Sequence, residues 1–325
     1  MSGAESKVHH LPLDRSAPVF IAGHRGLAGS ALQRRFEQEG FERIVVVSRA
    51  KLDLRDRPQV FRFLEHERPR YVLIAAARVG GVLANQRYPA DLLSENLQIQ
   101  VNVMDASRSI GVERLLFLGT SMVYPRDARQ PHTEDQFMSG SLEPVNEGYA
   151  IAKIAGVMQV QAVRKQEGLP WISALPTNLY GPHDNFSAQN SHVLPALIRR
   201  YVAAAERGDE SVTNWGSGQA RRDFLYSEDL ADACLFLLEH YDDLSPVNIG
   251  TGRSSSIAEV ADLVSRAARF MGRTEWDATR PGGAAQKVLA VDKIASLGWR
   301  ARTDLADGIR KSVRWYRDNA ASIRA

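Results

Sequence analysis

The 325-residue chain sets 41 Lys and Arg against 38 Asp and Glu, a net charge of +3, with 44% hydrophobic and 24% charged residues. That balance is ordinary for a globular protein. With no Lys/Arg block interleaved with aromatics, it argues against a nucleic-acid partner. No apolar run approaches the roughly 18 residues of a membrane span, and the single cysteine, Cys234, excludes an intrachain disulfide and a cysteine-based metal site. No metal is expected. Residues 1–17 are polar, lack the apolar core of a signal peptide and are expected to form a loose tail. A cytoplasmic enzyme is the default expectation.

Val19-Phe20-Ile21-Ala22 reads as a strand that runs into Gly23-His24-Arg25-Gly26-Leu27-Ala28-Gly29, and an amphipathic segment follows from Ser30 to Glu39. Strand, glycine turn and helix open a dinucleotide-binding unit: the glycines let the backbone approach a pyrophosphate and the helix N-terminus offers N–H groups. A second strand, Ile44 to Val47, ends at Ser48-Arg49. NAD enzymes place a carboxylate about 20 residues past the glycines, to bind the ribose 2′-hydroxyl. Arg49 stands there and Arg25 lies in the loop, so the pair favours NADP, the bland alternative being two solvated arginines. Asp53 is a candidate for the adenine amino group.

Asp56-Arg57-Pro58 caps a helix to about Glu67. Tyr71 to Ala77 is an all-apolar third strand, and Arg78-Val79-Gly80-Gly81 at its C-terminal end is expected to line the cofactor and sugar pocket. A helix follows from about Ala90 to Ile110. The fourth strand, Arg114 to Leu118, leads into Gly119-Thr120-Ser121-Met122, whose hydroxyls suit a substrate carbonyl. Tyr149 and Lys153, four apart on a helix to about Glu167, leave from one face. A free phenol has a pKa of about 10; a neighbouring ammonium lowers it, giving an acid/base for alcohol–ketone interconversion. Trp171 to Leu175 is the fifth strand. Such alternation implies an α/β fold with a doubly wound parallel sheet.

After Pro176 come a polar loop through Asn178 and His183, a helix from about His192 to Glu206, Trp215, Arg222, a helix from Ser227 to His240 and a last helix near 304–319. This reads as a smaller, partly interleaved substrate lobe over 181–325. Residues 18–180 form the cofactor domain, with 220–250 returning to it. Cys234 sits in an apolar helix and reads as buried.

The stretches Ile21 to Gly26, Val79 to Gly81, Tyr88 to Asp91, Asn146 to Gly156, Pro176 to Phe186 and Asn190 to Val193 resemble the extended short-chain dehydrogenase/reductases that act on nucleotide sugars. Within that superfamily they are similar to the GDP-L-fucose synthase family, 3,5-epimerase/4-reductases of GDP-4-keto-6-deoxymannose. The resemblance implies NADPH as cofactor and a GDP-sugar as substrate, with no nucleic-acid or membrane partner. It also implies a homodimer built on a four-helix bundle. Tyr149 would be the general acid at the C4 oxygen, Lys153 its partner and a ribose ligand, Thr120 the carbonyl hydroxyl and His192 one of the epimerase pair. Gly23, Arg25, Gly26, Leu27, Gly29, Arg49, Asp53, Leu54, Ala76, Ala77, Lys153, Pro176, Asn178 and Leu179 would hold the cofactor. Val79, Gly80, Ser121, Met122, Asn178, Val193, Arg200, Trp215, Arg222 and Lys287 would hold the substrate.

One departure matters. The family's second epimerase residue is a cysteine two positions after the hydroxyl residue; here that position is Met122. A thioether has no titratable proton. The chain therefore reads as a 4-ketoreductase with C3/C5 epimerisation lost or weakened, acting on a deoxyhexose or deoxyheptose. Alternatives are the full epimerase/reductase, a redox-neutral C4 epimerase and a non-catalytic NADP-binding regulator.

Overall fold

The computed structural model describes residues 11–188, 190–279, 285–321 and 323. The first half runs β1 (Val19–Ala22), α1 (Leu27–Gln38), β2 (Ile44–Val45), α2 (Arg57–Glu67), β3 (Tyr71–Ile74), α3 (Val82–Arg87), α4 (Pro89–Ser109), β4 (Arg114–Leu118), α5 (Glu147–Glu167) and β5 (Ile172–Pro176). The second half adds β6 (Asn178–Tyr180), α6 (Val193–Arg207), β7 (Ser211–Trp215), β8 (Arg221–Arg222), β9 (Phe224–Tyr226), α7 (Ser227–His240), β10 (Val247–Ile249) and β11 (Ser255–Ser256). It closes with α8 (Ile257–Ala267), β12 (Arg273–Asp277), β13 (Gln286–Lys287), α9 (Asp292–Ser296) and α10 (Leu305–Asp318).

The main sheet has six strands in the order β10-β5-β4-β3-β1-β2, every pairing parallel. Both faces are covered, and the strand residues divide between them with period two. Val19, Ile21, Tyr71, Leu73, Leu116 and Leu118 pack with residues of α1 and α7; Phe20, Ala22, Val72, Ile74, Leu115 and Phe117 pack with residues of α2, α4 and α5. Truncating one of these fully buried side chains, Leu73→Ala for example, costs about 2–5 kcal/mol. A third core, around Tyr180, Leu197, Tyr201, Val260 and Ile309, belongs to the second lobe. Segment 225–249 supplies α7, which packs on α1, and β10, the sheet edge beside β5. Cys234 is fully buried in α7. No helix among the described residues is long and apolar enough to cross a membrane.

Two expectations need correction. Residues 11–17 are not a loose tail. Leu13 and Ala17 are buried, the Leu11 N–H donates to Glu239 O at 2.8 Å, and Arg15 bridges Glu39 at 2.8 Å and Glu239 at 2.6 Å. Polar composition hid a segment anchored by two apolar side chains and one arginine. Residues 1–10 lie outside the described residues. Strands β2 and β3 also stop sooner than their apolar runs, at Val45 and Ile74; beyond β3, Ala75 and Ala77 border a cleft, while Val46 and Val47 beyond β2 pack against the two cores.

Candidate active site

A cleft of about 940 Å³ opens at the carboxyl ends of the strands. It lies where the strand order reverses between β1 and β3, the usual ligand position in such sheets. Its wall gathers Arg25, Gly26, Leu27, Gly29, Ala77, Val79, Thr120, Ser121, Met122, Tyr149, Lys153, Pro176, Asn178, Leu179, His192 and Val193. Of the other candidates, Gly23, Arg49, Asp53, Leu54, Ala76, Gly80, Arg200, Trp215, Arg222 and Lys287 are not part of that wall.

The glycine loop fits a dinucleotide. Gly23 adopts φ +91°, and a Cβ there would stand 2.7 Å from the Ala76 backbone. A Cβ on Gly29 would strike the Gly23 carbonyl. These two glycines let the loop fold tightly on β3, which accounts for Gly23 and Ala76 lying behind the wall. Gly26 is different: a Cβ would meet nothing nearer than Gly23 O at 3.6 Å, so its face is open. Gly26 caps α1 without a side-chain hydrogen bond, and the first turn carries no acid. The N–H groups and positive end of α1 thus meet an open space suited to a pyrophosphate.

Helix α5 is drawn close to β4 at Gly156, where any side chain would strike the Phe117 ring. The Gln100 amide of α4 donates to Ala152 O at 2.6 Å and ties α5 to α4. Lys153 then reaches over the Phe117 ring, its Nζ 4.8 Å from the centroid, and donates to Leu118 O at 2.8 Å. Tyr149 shares that helix face, its ring centroid 5.9 Å from the Lys153 Nζ. Both residues are buried. Burial, more than the pair's mutual attraction, sets their charge states: it pushes the Tyr149 phenol above its ordinary value and the Lys153 ammonium down to about 7. The expected lowering of the phenol by the ammonium is not what this environment produces. Instead the phenol keeps its proton at neutral pH, the state a general acid requires.

Beyond β4, Thr120 caps a short 3-10 turn over Ser121–Val123, and its Oγ1 accepts the Met122 N–H at 3.3 Å. Its own O–H is left to donate toward a ketone oxygen. Met122 is half-buried in the same wall. His192 caps α6, and burial holds its imidazole below the ordinary value, hence neutral at pH 7. The Asn178 amide donates to Asp223 O at 2.9 Å, linking β6 to the second lobe.

The basic candidates sit in that lobe. Pairing of β13 with β8 sets Lys287 opposite Arg222. Burial lowers Arg222, and burial together with the Arg222 charge pushes Lys287 down to about 8. Neither has an ion pair among the described residues, although the Glu143 charge opposes the fall at Lys287, which leaves a pair of half-buried cations fit for an anion. Arg200 instead secures β7, donating to Thr213 O at 3.4 Å and to Asn214 Oδ1. Trp215 is exposed on β7.

The sequence reading passed over Asp184. It lies in the cleft wall beside His183, a residue at φ +63° that rests against Trp315. Its Oδ1 accepts the Asn185 N–H at 2.7 Å, its Oδ2 is buried without a partner among the described residues, and burial pushes the acid up to about 7. Only a positional clue, an acid within the Gly181-Pro182-His183-Asp184 turn, was present in the sequence.

A model of the NAD dependent epimerase/dehydratase family matches residues 19–250. GDP-L-fucose synthase 1 of Arabidopsis thaliana is 49% identical over 309 residues, covering 95% of this chain and 96% of that protein. The NADP-bound GDP-mannoheptose C4 reductase of Campylobacter jejuni superposes with a TM-score of 0.85 at 33% identity, covering 94% and 100% of the two chains. A GDP-L-fucose synthetase of Naegleria fowleri bound to NADP gives 0.92 at 28% identity, with all of both chains covered. With a family match over most of its length and a relative of this similarity, the chain belongs to the NAD dependent epimerase/dehydratase family.

Proposed function

We propose that this protein reduces the C4 ketone of a GDP-4-keto-6-deoxy sugar with NADPH, and that C3/C5 epimerisation is impaired. The observation that carries this reading is the convergence of Tyr149, Lys153 and Thr120 in one wall while position 122 presents a thioether. NADPH, when bound, supplies the hydride to C4. Arg25, Gly26, Gly29 and the α1 N-terminus would hold its phosphates; Lys153 would meet its nicotinamide ribose. The Thr120 O–H donates to the C4 oxygen and aligns it. Tyr149 transfers its phenolic proton to that oxygen as negative charge develops, and Lys153 steadies the phenolate left behind. Arg222 and Lys287 neutralise the diphosphate of the GDP-sugar. Epimerisation needs a base on one face of the carbon and an acid on the other; His192 can fill one part, Met122 neither.

GDP as carrier is supported by the relatives' activities, and the GDP-mannoheptose C4 reductase neighbour keeps a heptose open beside a hexose. The presence of His192 in the wall favours a second reading, the full 3,5-epimerase/4-reductase. A homodimer through α4 and α5 is part of the proposal. Ile151 and Met158, seven apart on α5, are both exposed apolar side chains. The test of function is NADPH oxidation by the purified protein with GDP-4-keto-6-deoxymannose and with its heptose counterpart. Turnover with either supports the reading; turnover with neither contradicts it. Light scattering in solution tests the dimer.

A further inference from the structure

Past the end of β2, outside the cleft wall, lies a cluster of charged residues that includes Arg49. Glu95, on the first half of α4, is surrounded by three guanidiniums from three separate segments. Its Oε2 is 3.8 Å from Arg49 and 3.2 Å from Arg55, and its Oε1 pairs with Arg78. Arg78 also pairs with Asp91 at 3.0 Å. Arg55 grips Asp53 at 2.6 Å through Nη2 and 3.0 Å through Nε, and that contact holds the Asp53 carboxyl down at about 2. Three cations therefore face three anions. Arg49 is the loosest member: its side chain is 70% exposed and its contact with Glu95 is the longest.

The geometry points to Arg55 as a second reader of the 2′-phosphate of NADPH, held in place by Glu95. Arg49 and Arg55 converge on one carboxylate oxygen, so the two guanidiniums already share an oxyanion at the end of β2 where the ribose 2′ substituent lies in this fold. Asp53 takes Nε and one N–H of Nη2, and Arg55 keeps further N–H donors for a phosphate oxygen. A phosphate monoester near neutral pH carries close to two charges and is best met by two forks. Glu95 is the tether: its side chain is only 16% exposed, fixed by Arg78, and it holds Arg55 before any ligand arrives. The proposal rests on NADPH being the cofactor but requires neither sugar nor turnover.

The test is calorimetric binding of 2′,5′-ADP and of 5′-ADP to the wild-type protein, Arg55→Met and Arg55→Lys. Arg55→Met is expected to weaken 2′,5′-ADP about tenfold, the loss of one charge-assisted contact, and to leave 5′-ADP within about twofold. Arg55→Lys, which keeps the charge but not the fork, is expected to recover part of the loss. Equal weakening of both nucleotides by Arg55→Met would mean that Arg55 only orders Asp53 and its loop, and would overturn the proposal. Unchanged binding of both would do the same. Failure of the wild-type protein to prefer 2′,5′-ADP would overturn the NADPH reading itself.

Discussion

Lys153 Nζ donates to the main-chain oxygen of Leu118, the last residue of β4, at 2.8 Å. One hydrogen bond thus joins the helix that carries Tyr149 to the strand end that presents Thr120 and Met122. The ammonium that makes it sits in a site dry enough to push its pKa down to about 7, while the phenol beside it moves up.

The alkaline limit of catalysis should therefore belong to Lys153 and not to Tyr149. Reductase kcat/KM is expected to fall as pH rises past about 7, because the lysine loses its charge there while the phenol stays protonated. Lys153→Met should abolish that limb along with most activity, and Tyr149→Phe should lower kcat by about 10²–10⁴-fold. The linkage has a definite sign. Between about 7 and the ordinary lysine value of 10.5, the unfolded chain binds the proton and the folded one does not, so this group makes stability rise with pH in that window. Stopped-flow rates and thermal melts from pH 6 to 10 read both effects.

Met122→Cys should restore what the thioether removes. The variant places a titratable thiol two residues after Thr120, in the wall that also holds His192. It is expected to yield C3/C5-epimerised product where the wild-type protein yields mainly the unepimerised sugar. Sugar analysis after exhaustive turnover decides it. Shortening a half-buried side chain should cost no more than about 1–2 kcal/mol of stability.

Arg222 and Lys287 lie side by side, half-buried and without an ion pair among the described residues. Arg222→Met is expected to raise KM for the GDP-sugar by roughly 10- to 100-fold, with NADPH affinity unchanged. Its thermal stability without substrate should match or exceed the wild type, because one of two neighbouring half-buried like charges is removed. A loss of stability would indicate a structural role instead.

Asp184 gives a pH signature of opposite sign. Its folded-state acid is pushed up to about 7 from an ordinary 3.8. Between those values the folded protein binds the proton and the unfolded chain does not, so stability falls as pH rises. Asp184→Asn should flatten that part of the melting-temperature profile and stabilise the protein at pH 8. An unaltered profile would mean that Asp184 is ionised in the fold.

The parallel sheet was legible because its strands are nearly pure apolar runs and its glycine turn has a fixed spacing. Caps were legible too: Asp56 accepts the Gln59 N–H at 3.0 Å, as its position before Arg57-Pro58 implied. That Tyr149 and Lys153 share one face of α5 could be read from their i, i+4 spacing. Their protonation states could not, because these follow from burial against Phe117 and Leu118, thirty-odd residues upstream. The Glu95 cluster was invisible for the same reason: Arg49, Arg55 and Arg78 meet only when β2 and β3 are brought beside α4. Arg200 illustrates the converse. As a cation it suited a phosphate, yet it is engaged on Thr213 and Asn214.

The most direct measurement is proton NMR in heavy water with GDP-4-keto-6-deoxymannose, before and after NADPH is added. Little or no deuterium is expected at C3 and C5 beforehand, followed by NADPH oxidation and a C4-reduced product with unaltered C3 and C5. Rapid deuterium entry at both carbons before NADPH is added would contradict this reading and establish the full epimerase/reductase, with another group acting in place of the thiol.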